Sequence, residues 1–567
     1  MKYIIVSGGV LSGLGKGIFT ASLGLLLKSY GVKVTAFKCD MYLNIDAGTM
    51  NPLEHGEVFV THDGLETDQD LGHYERFINT NLSRYNYTTN GQVYKSVLDK
   101  ERSLDYEGAC VQPYHHIPPE IIKRWEIAGR ENKADVILIE MGGTVGEYEG
   151  LLFFEAARRI KLKEPDNICF IHVGYLPTPG NIGELKSKPL QQSVYFLNTM
   201  GIQPDFIVCR ASKDVDEKRK EKISLASGVP LENIISSPDL DSVYKVPLKL
   251  EEQNFTKKVA KKMNIKIIKN DLKEWKSLIK RIDRSIKEIN ISIVGKYQKT
   301  GDYLLEDAYV SVVEALKHAG FKLKVKLKIK WVNSEDLESL KDSEIKEIFN
   351  GISGIIVPQG WGKRGVEGKI RAVNYARLNN IPYLGLCFGM QMAVIEFSRS
   401  ILGFKDANSQ EVNPKSSHKV IHLMDNQKEY LKKHQYGGTI RLGAWPCIVK
   451  SGTKLESIYK KYGGKRNNPW FLPNPLFSKK VRYSGSGTLI YERHRHRYEF
   501  NNEYREIFEK NGLIISGISP FNSLVEAIEI KNHPFFIGVQ FHPEYLSRPL
   551  SPHPIFISFL ESSMLNQ

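Results

Sequence analysis

Short apolar runs punctuate the first half of the chain: Tyr3–Val6, Val32–Phe37, Val136–Ile139, Ile168–Val173 and Phe206–Val208. Longer segments of helical character separate them. This alternation predicts βαβ units and a parallel sheet. The charged stretch Glu251–Lys287 reads as amphipathic helix plus linker. A second series then begins with Ile291–Val294, Gly354–Val357, Pro382–Leu386 and Phe536–Phe541. The pattern places one α/β domain over residues 1–265, a linker over 266–290 and another α/β domain over 291–567. The Gly-, Pro-, Asn- and Lys-rich stretch Lys450–Ser486 reads as a surface insertion.

Composition narrows the class. Of 567 residues, 41% are hydrophobic, which excludes a disordered chain. Six cysteines (39, 110, 169, 209, 387 and 447) form no CxxC pair. That argues against a zinc site or a disulfide scaffold and for a reducing compartment. No signal-peptide core and no run of ~18 apolar residues is visible, so a cytoplasmic protein without membrane spans is expected. The formal charge of +15 is assigned to lysine-rich surface such as Lys257–Lys262. Without a recognition motif it predicts no specific nucleic-acid partner.

Two segments carry chemistry. Tyr3–Val6 runs into Ser7-Gly8-Gly9-Val10-Leu11-Ser12-Gly13-Leu14-Gly15-Lys16-Gly17, followed by a helical stretch. A Gly-rich turn between strand and helix offers backbone N–H groups and the helix dipole to phosphate. The spacing departs from the Walker pattern: Gly9 lies one residue early, and Gly17 replaces the Ser/Thr whose hydroxyl holds Mg²⁺. The metal then needs carboxylates from elsewhere, and Asp70 and Glu140 are the candidates. In the second half, Gly385-Leu386-Cys387-Phe388-Gly389 is a nucleophile elbow after a strand. Phe541-His542-Pro543-Glu544 follows another strand and puts His542 and Glu544 on one side. His542 then serves Cys387 as general base and acid, and Glu544 orients the ring.

At this point the chain resembles the glutamine-hydrolysing CTP synthases over nearly its whole length. The resemblance rests on GGVLSGLGKG, NIDAGTM, HGEVFV, DLGHYERF, KERSLDY, GGTVG, LQQSV and GIQPD, then on RGVEGKI, GLCFGMQ, GGTIRLGA, ERHRHRYEFNN and FHPE. It implies a P-loop-like, doubly wound amidoligase domain followed by a class I glutamine amidotransferase domain. It also implies ATP-dependent amination of UTP to CTP, through a 4-phosphorylated intermediate and channelled ammonia. GTP would activate, CTP would inhibit, and the chain would form homotetramers, with filaments in some members.

The resemblance assigns residues as well. Gly13, Leu14, Gly15, Lys16, Gly17 and Ile18 wrap the ATP phosphates, Lys38 adds charge, and Pro238, Asp239 and Leu240 lie on the adenine side. Asp70 and Glu140 hold Mg²⁺. Ser12, Lys186, Ser187, Lys188, Pro189, Leu190, Gln191 and Lys222 contact the pyrimidine nucleotide. Glu147, Tyr148 and Glu149 form the CTP site. Gly360, Phe388, Gln391, Glu411 and Arg497 hold glutamine, and Gly437–Ala444 is the GTP-sensing lid.

Several positions depart from the family pattern. Leu190 loses a hydroxyl, and the family triplet D-I-E reads Glu147-Tyr148-Glu149, which keeps the charge. Asp40-Met41-Tyr42-Leu43-Asn44 and Val111–Pro118 also differ. The family turn P-G-G-F-G reads Pro358-Gln359-Gly360-Trp361-Gly362. Gln359 would be strained if that turn needs a positive φ, and losing an oxyanion donor costs on the order of 10²–10³ in rate. Two alternatives therefore stand beside the active enzyme: a weakened paralogue serving as a scaffold, and a related ATP-dependent amidotransferase with another acceptor.

Overall fold

Apolar runs buried on both faces become the central strands of two sheets. A computed structural model describes the chain except residues 10, 181–182, 298, 301–302, 305, 434–436, 466 and 475–485. The chain divides into two units: Met1–Ala47 with Asp70–Ile279, and Gly48–Gln69 with Lys280–Gln567.

The first unit holds a seven-stranded sheet. Its strands are β1 (Lys2–Gly9), β2 (Val34–Asp40), β3 (Tyr87–Thr89), β4 (Val136–Met141), β5 (Ile168–Tyr175), β6 (Phe206–Ala211) and β7 (Ile234–Pro238). They lie in the order β3-β2-β4-β1-β5-β6-β7, and every pair is parallel. Parallel strands need helical crossovers, and those helices cover both faces, so β4 is buried throughout. One face packs Phe37, Ile139, Trp125 and Phe153 into a single apolar cluster. In this architecture ligands bind beyond the carboxyl ends of the strands. There the phosphate loop leaves β1 for helix α1 (Lys16–Ser29), and β4 ends beside Glu140.

The second unit holds nine strands: β8 (Lys287–Gly295), β9 (Val325–Asn333), β10 (Gly354–Val357), β11 (Tyr383–Leu386), β12 (Arg441–Val449), β13 (Thr488–His496), β14 (Leu513–Ile518), β15 (Val525–Ile530) and β16 (Phe536–Val539). The order is β9-β8-β10-β11-β16-β15-β14-β12-β13. The first five strands are parallel and the rest antiparallel. Both α/β expectations hold in these sheets.

The domain limits differ from the expected ones. The units part between Ile279 and Lys280, and helix Lys273–Asp283 occupies part of the expected linker. Its apolar stripe explains this. Trp275 is buried, donates to the Tyr244 carbonyl at 2.9 Å and packs on Phe77 and Tyr244. The second difference is larger: residues 48–69 leave the first unit and belong to the second. Glu57 accepts from the Ser311 backbone at 3.0 Å, and Arg493 donates to the Val60 carbonyl at 2.9 Å. Glu66 pairs with Arg495 at 2.8 Å.

The stretch 450–486, expected as a surface insertion, is anchored where it is described. Leu455, Tyr459 and Trp470 are buried in the second unit's core. Residues 475–485 of that expectation lie outside the described residues. Among the described residues, no helix is long and apolar enough to cross a membrane.

Trp275→Ala should destabilise the chain by about 3–5 kcal/mol, the usual cost of truncating a fully packed tryptophan. Urea unfolding followed by circular dichroism measures it. A loss under about 1 kcal/mol would show that helix 273–283 is dispensable to the first unit.

Candidate active site

The phosphate loop of the first unit is shaped by glycines that no other residue replaces cheaply. Gly13 and Gly15 have φ of 73° and 81°, in the left-handed region. The loop delivers Lys16 to the first turn of α1, where the helix dipole disfavours a cation. Its Nζ donates to the Gly143 carbonyl at 2.9 Å. Burial lowers its pKa, against the pull of Glu140.

Gly17 explains the missing Walker hydroxyl. A Cβ at Gly17 would overlap the Asp70 carboxylate. The carboxylate at the start of helix α2 (Asp70–Ile78) therefore fills the space that a serine or threonine side chain would take. Lys38 is bonded to Asp70, and lies 3.4 Å from Glu140 and 3.6 Å from Asp40. Tyr74 donates to Glu140. Burial and the Asp70 charge push Glu140 up to about 7, despite Lys38 and Lys16. Two carboxylates and two lysines thus share one buried corner. The carboxylates' hard oxygens fit a magnesium ion, and the lysines fit polyphosphate.

Sequence reasoning missed Arg210, at the carboxyl end of β6. It donates to Leu14 O at 3.2 Å, to Pro238 O at 3.0 Å and to Asp239 at 2.7 Å. It thereby ties the expected adenine-side residues to the phosphate loop. Leu240 follows them, partly exposed. It also missed a relay of buried groups. Ser7 Oγ lies 3.0 Å from His172 Nδ1, and His172 Nε2 lies 2.7 Å from Ser193 Oγ. Ser193 sits on helix α3 (Lys188–Thr199), so the relay fixes that helix to β1.

The expected pyrimidine residues divide. Ser12 is exposed at the loop, as is Lys188 at the head of α3. Lys186 pairs with Glu184 at 2.9 Å, and Gln191 donates to Ser187 at 3.0 Å. Pro189 opens the first turn of α3. Leu190 points inward and is fully buried with Leu176, Leu185 and Val194. Its side chain anchors the segment and leaves polar contact to its neighbours. Lys222 is exposed on helix Glu217–Ser227, which Arg219 joins to Glu184 and the Leu185 carbonyl. Glu147 accepts from Thr144 Oγ1 at 2.7 Å beside the Lys16-bound Gly143, while Tyr148 is 88% exposed and Glu149 exposed.

In the second unit, β11 ends at Cys387, whose φ of 52° and ψ of −102° mark a strained elbow. Tight packing holds it. A Cβ at Gly389 would overlap the Val357 carbonyl, and one at Gly385 would lie 2.8 Å from the Gly389 backbone. Cys387 N–H donates to Val539 O at 2.7 Å, and helix α5 (Phe388–Ser400) starts immediately after. His542 Nδ1 lies 2.7 Å from Glu544, both buried. Burial disfavours charge on His542, but Glu544 and Cys387 outweigh it and raise its pKa to about 10. Tyr545 stacks on the imidazole, centroids 4.9 Å apart. Among the described residues, His542 Nε2 has no hydrogen-bond partner, which leaves it free for a proton in transit.

One cavity is lined by Cys387, His542 and the residues expected to hold glutamine: Gly360, Phe388, Gln391, Glu411 and Arg497. Glu411 accepts from Gly362 N–H at 2.6 Å, and burial raises its pKa. Arg497 donates to Gln427 and Thr439, each at 3.0 Å. A carboxylate and a guanidinium in one pocket match an amino acid's two charged ends. Gln540 was missed by sequence reasoning. It donates to Cys387 Sγ at 3.6 Å and accepts from Gln391 at 3.3 Å.

Gln359 corrects an expectation. The positive φ of its turn falls at Gly362, at 72°, and Gln359 has none. Among the described residues, no acceptor meets the N–H groups of Gln359 and Gly360. Two consecutive unpaired donors beside a nucleophile are what an oxyanion requires.

Comparison with known proteins agrees with both halves. Residues 2–265 match the family model of the CTP synthase N-terminus, and residues 304–562 that of class I glutamine amidotransferases. A CTP synthase of Caldanaerobacter subterraneus subsp. tengcongensis is 50% identical over 566 residues, covering 100% of this chain and 98% of the relative. One of Sulfolobus acidocaldarius is 50% identical over 559 residues, covering 99% of each. A solved glutaminase domain of Trypanosoma brucei CTPS with bound acivicin is 38% identical, covers 49% of this chain and 94% of its own, and has a TM-score of 0.41. The chain belongs to the CTP synthase family and is a glutamine-dependent enzyme that makes CTP from UTP.

Proposed function

We propose that the two sites run one coupled reaction: glutamine + H₂O → glutamate + NH₃ in the second unit, and UTP + ATP + NH₃ → CTP + ADP + phosphate in the first. The observation that carries the proposal is the pairing, in one chain, of a buried cysteine–imidazole–carboxylate set with a phosphate loop flanked by two carboxylates.

At the second site, Cys387 Sγ attacks the glutamine carboxamide carbon. The electron pair moves to oxygen, facing the N–H groups of Gln359 and Gly360 and the head of α5. His542 takes the thiol's proton and gives it to the leaving nitrogen, which departs as NH₃ and leaves a glutamyl thioester. Water, deprotonated by His542, then releases glutamate and restores the thiol. Gln540 keeps the sulfur oriented throughout.

At the first site, Lys16, Lys38 and the loop N–H groups bind ATP phosphates. Asp70 and Glu140 would hold Mg²⁺, which when bound neutralises charge on those phosphates. Phosphorylation of uracil O4 turns a poor leaving group into a good one. Ammonia attacks C4 and phosphate leaves. Sequestered transfer of NH₃ is supported by segment 48–69: its Val58 carbonyl accepts from Tyr545 OH at 2.9 Å, and Tyr545 stacks on His542.

Regulation is part of the same proposal. A cavity of about 370 Å³ shares Glu411 and Arg497 with the glutamine pocket and is walled by Tyr297, Trp361 and Ile440 of the 437–444 lid. Its aromatic walls suit a purine, which supports GTP as activator. Glu147, Tyr148 and Glu149, next to the phosphate loop, support CTP as inhibitor. Exposed Tyr148, Tyr195 and Phe196 on the first unit support assembly into a tetramer.

Three outcomes test this. CTP formation, followed by ultraviolet absorbance, should occur with glutamine or with ammonia. Cys387→Ala should abolish only the glutamine reaction, and absence of activity with either donor would sink the proposal. Gly17→Ala should displace Asp70, at an overpacking cost of about 1–3 kcal/mol. The ammonia-driven rate should fall roughly 10-fold or more, while an unchanged rate would remove Asp70 from the site. Finally, a raised His542 pKa contributes stability fully present below pH 6.5 and lost as the pH rises through about 10. The urea-unfolding gap between wild type and His542→Gln should therefore shrink from pH 6.5 to 10, and a constant gap would contradict the charged imidazole.

A further inference from the structure

Lys369 is a buried amine that the steps above do not use. It lies in the first turn of helix α4 (Val366–Leu378), where a cation opposes the dipole, and its residue is 0% exposed. Burial alone is costly for such a group. A side chain kept there against both effects has specific partners. Its Nζ donates to the Pro358 carbonyl at 2.7 Å and to the Gln359 carbonyl at 3.3 Å.

These two carbonyls belong to the turn that carries the unpaired N–H groups. In a trans peptide the C=O and the next residue's N–H point in opposite directions. Pro358 O therefore sets the direction of Gln359 N–H, and Gln359 O sets that of Gly360 N–H. Both residues line the cavity of Cys387. Pulling both carbonyls toward one amine turns both N–H groups away from it. A second buried amine grips the far end of the turn: Lys296 Nζ donates to Gly362 O at 2.9 Å. Gly360 is wedged between them, since a Cβ there would lie 2.9 Å from Lys296 Cδ and 3.4 Å from Lys369 Nζ. Both amines also face the Phe388 ring, at 4.9 Å and 5.4 Å from its centroid, just after the nucleophile.

We propose that Lys369 is a positioning residue of the glutaminase, holding peptides 358–359 and 359–360 so that their N–H groups form the oxyanion site. It touches neither substrate nor nucleophile. It acts through the backbone, which makes the side chain at position 359 unimportant to the site. A glutamine is then tolerated where the family pattern has glycine. Burial, and next Lys296, lower the Lys369 pKa well below the usual lysine range.

The inference rests on the glutaminase reading above. The test compares wild type with Lys369→Met, which keeps length and volume but no donor, and Lys369→Gln, which keeps a shorter donor. Glutamate release should show a kcat about 10²-fold lower in the methionine variant, the scale of losing an oxyanion donor. KM for glutamine should stay within about 3-fold, because ground-state binding is untouched. Carbamidomethylation of Cys387 by iodoacetamide, read by mass spectrometry, needs the thiolate but no oxyanion site. It should stay within about 3-fold of wild type. Lys369→Gln should recover part of the kcat, and it is read by the same split if the methionine variant does not fold. An unchanged kcat, or kcat and alkylation falling together, would overturn the assignment. A wild-type protein that releases no glutamate would instead overturn the glutaminase reading.

Discussion

The buried pair of His542 and Glu544 is the constraint around which the second unit is arranged. Opposite unit charges about 4 Å apart attract by about 4 kcal/mol at an effective dielectric near 20, and removing one partner of a buried pair costs about 3–5 kcal/mol. That attraction is realised only while the ring holds its angle. Three contacts fix it: Glu544 at Nδ1, Tyr545 stacked on the face, and the His542 N–H donating to Arg493 O at 2.7 Å. The strained backbone of Cys387 belongs to the same logic. The elbow is held by glycine–backbone contacts on both sides, and these put the sulfur within reach of Gln540 and in the cavity of His542.

The first unit handles charge differently. Its carboxylates are not given a dedicated cation each. Lys38 serves Asp40, Asp70 and Glu140 together, and burial with the Asp70 charge still pushes Glu140 up to about 7. This under-neutralised corner is suited to exchanging partners, where a fully paired one would resist it. The contrast is one of sharing: Glu544 is bonded to one imidazole, while Lys38 is divided among three carboxylates.

Much of this was legible in the sequence because strand, turn and nucleophile are contiguous. Gly15-Lys16-Gly17 and Gly385–Gly389 declare their own backbone geometry. What was not legible depends on pairs distant along the chain. Asp70 as the occupant of Gly17's missing side chain follows from packing, although the absent hydroxyl hinted at it. Arg210, Gln540 and Lys369 sit at strand ends or a helix start and His172 within β5, none with a local signature, and only the fold gives them partners. Leu190 looked like a lost hydroxyl and is a core residue. Gln359 would be strained only if the turn needed a positive φ there, and the positive φ falls at Gly362 instead. The excursion 48–69 was invisible, since its short strands Phe59–Val60 and Glu66–Thr67 read like any loop of the first domain.

That excursion also accounts for a cationic stretch of the second unit. Arg493-His494-Arg495-His496-Arg497 looks like a basic edge strand, and β13 is indeed the edge of its sheet. Side chains alternate between faces along a strand. Arg493 and Arg495 therefore share one face, and Arg497 follows the strand's last residue. Arg493 lies over Phe59 and bonds Val60 O, Arg495 pairs with Glu66, and Arg497 enters the glutamine pocket. The histidines take the other face, buried with His494 Nδ1 3.0 Å from His496 Nε2, and burial drives both pKa values far down. Neutral there, they add no charge to a core that already holds Arg441 against Glu499 and Glu526. The edge strand is thus covered by a segment from the other half of the sequence. Its guanidiniums are committed to that segment and to the cavity of Cys387, and all three are buried.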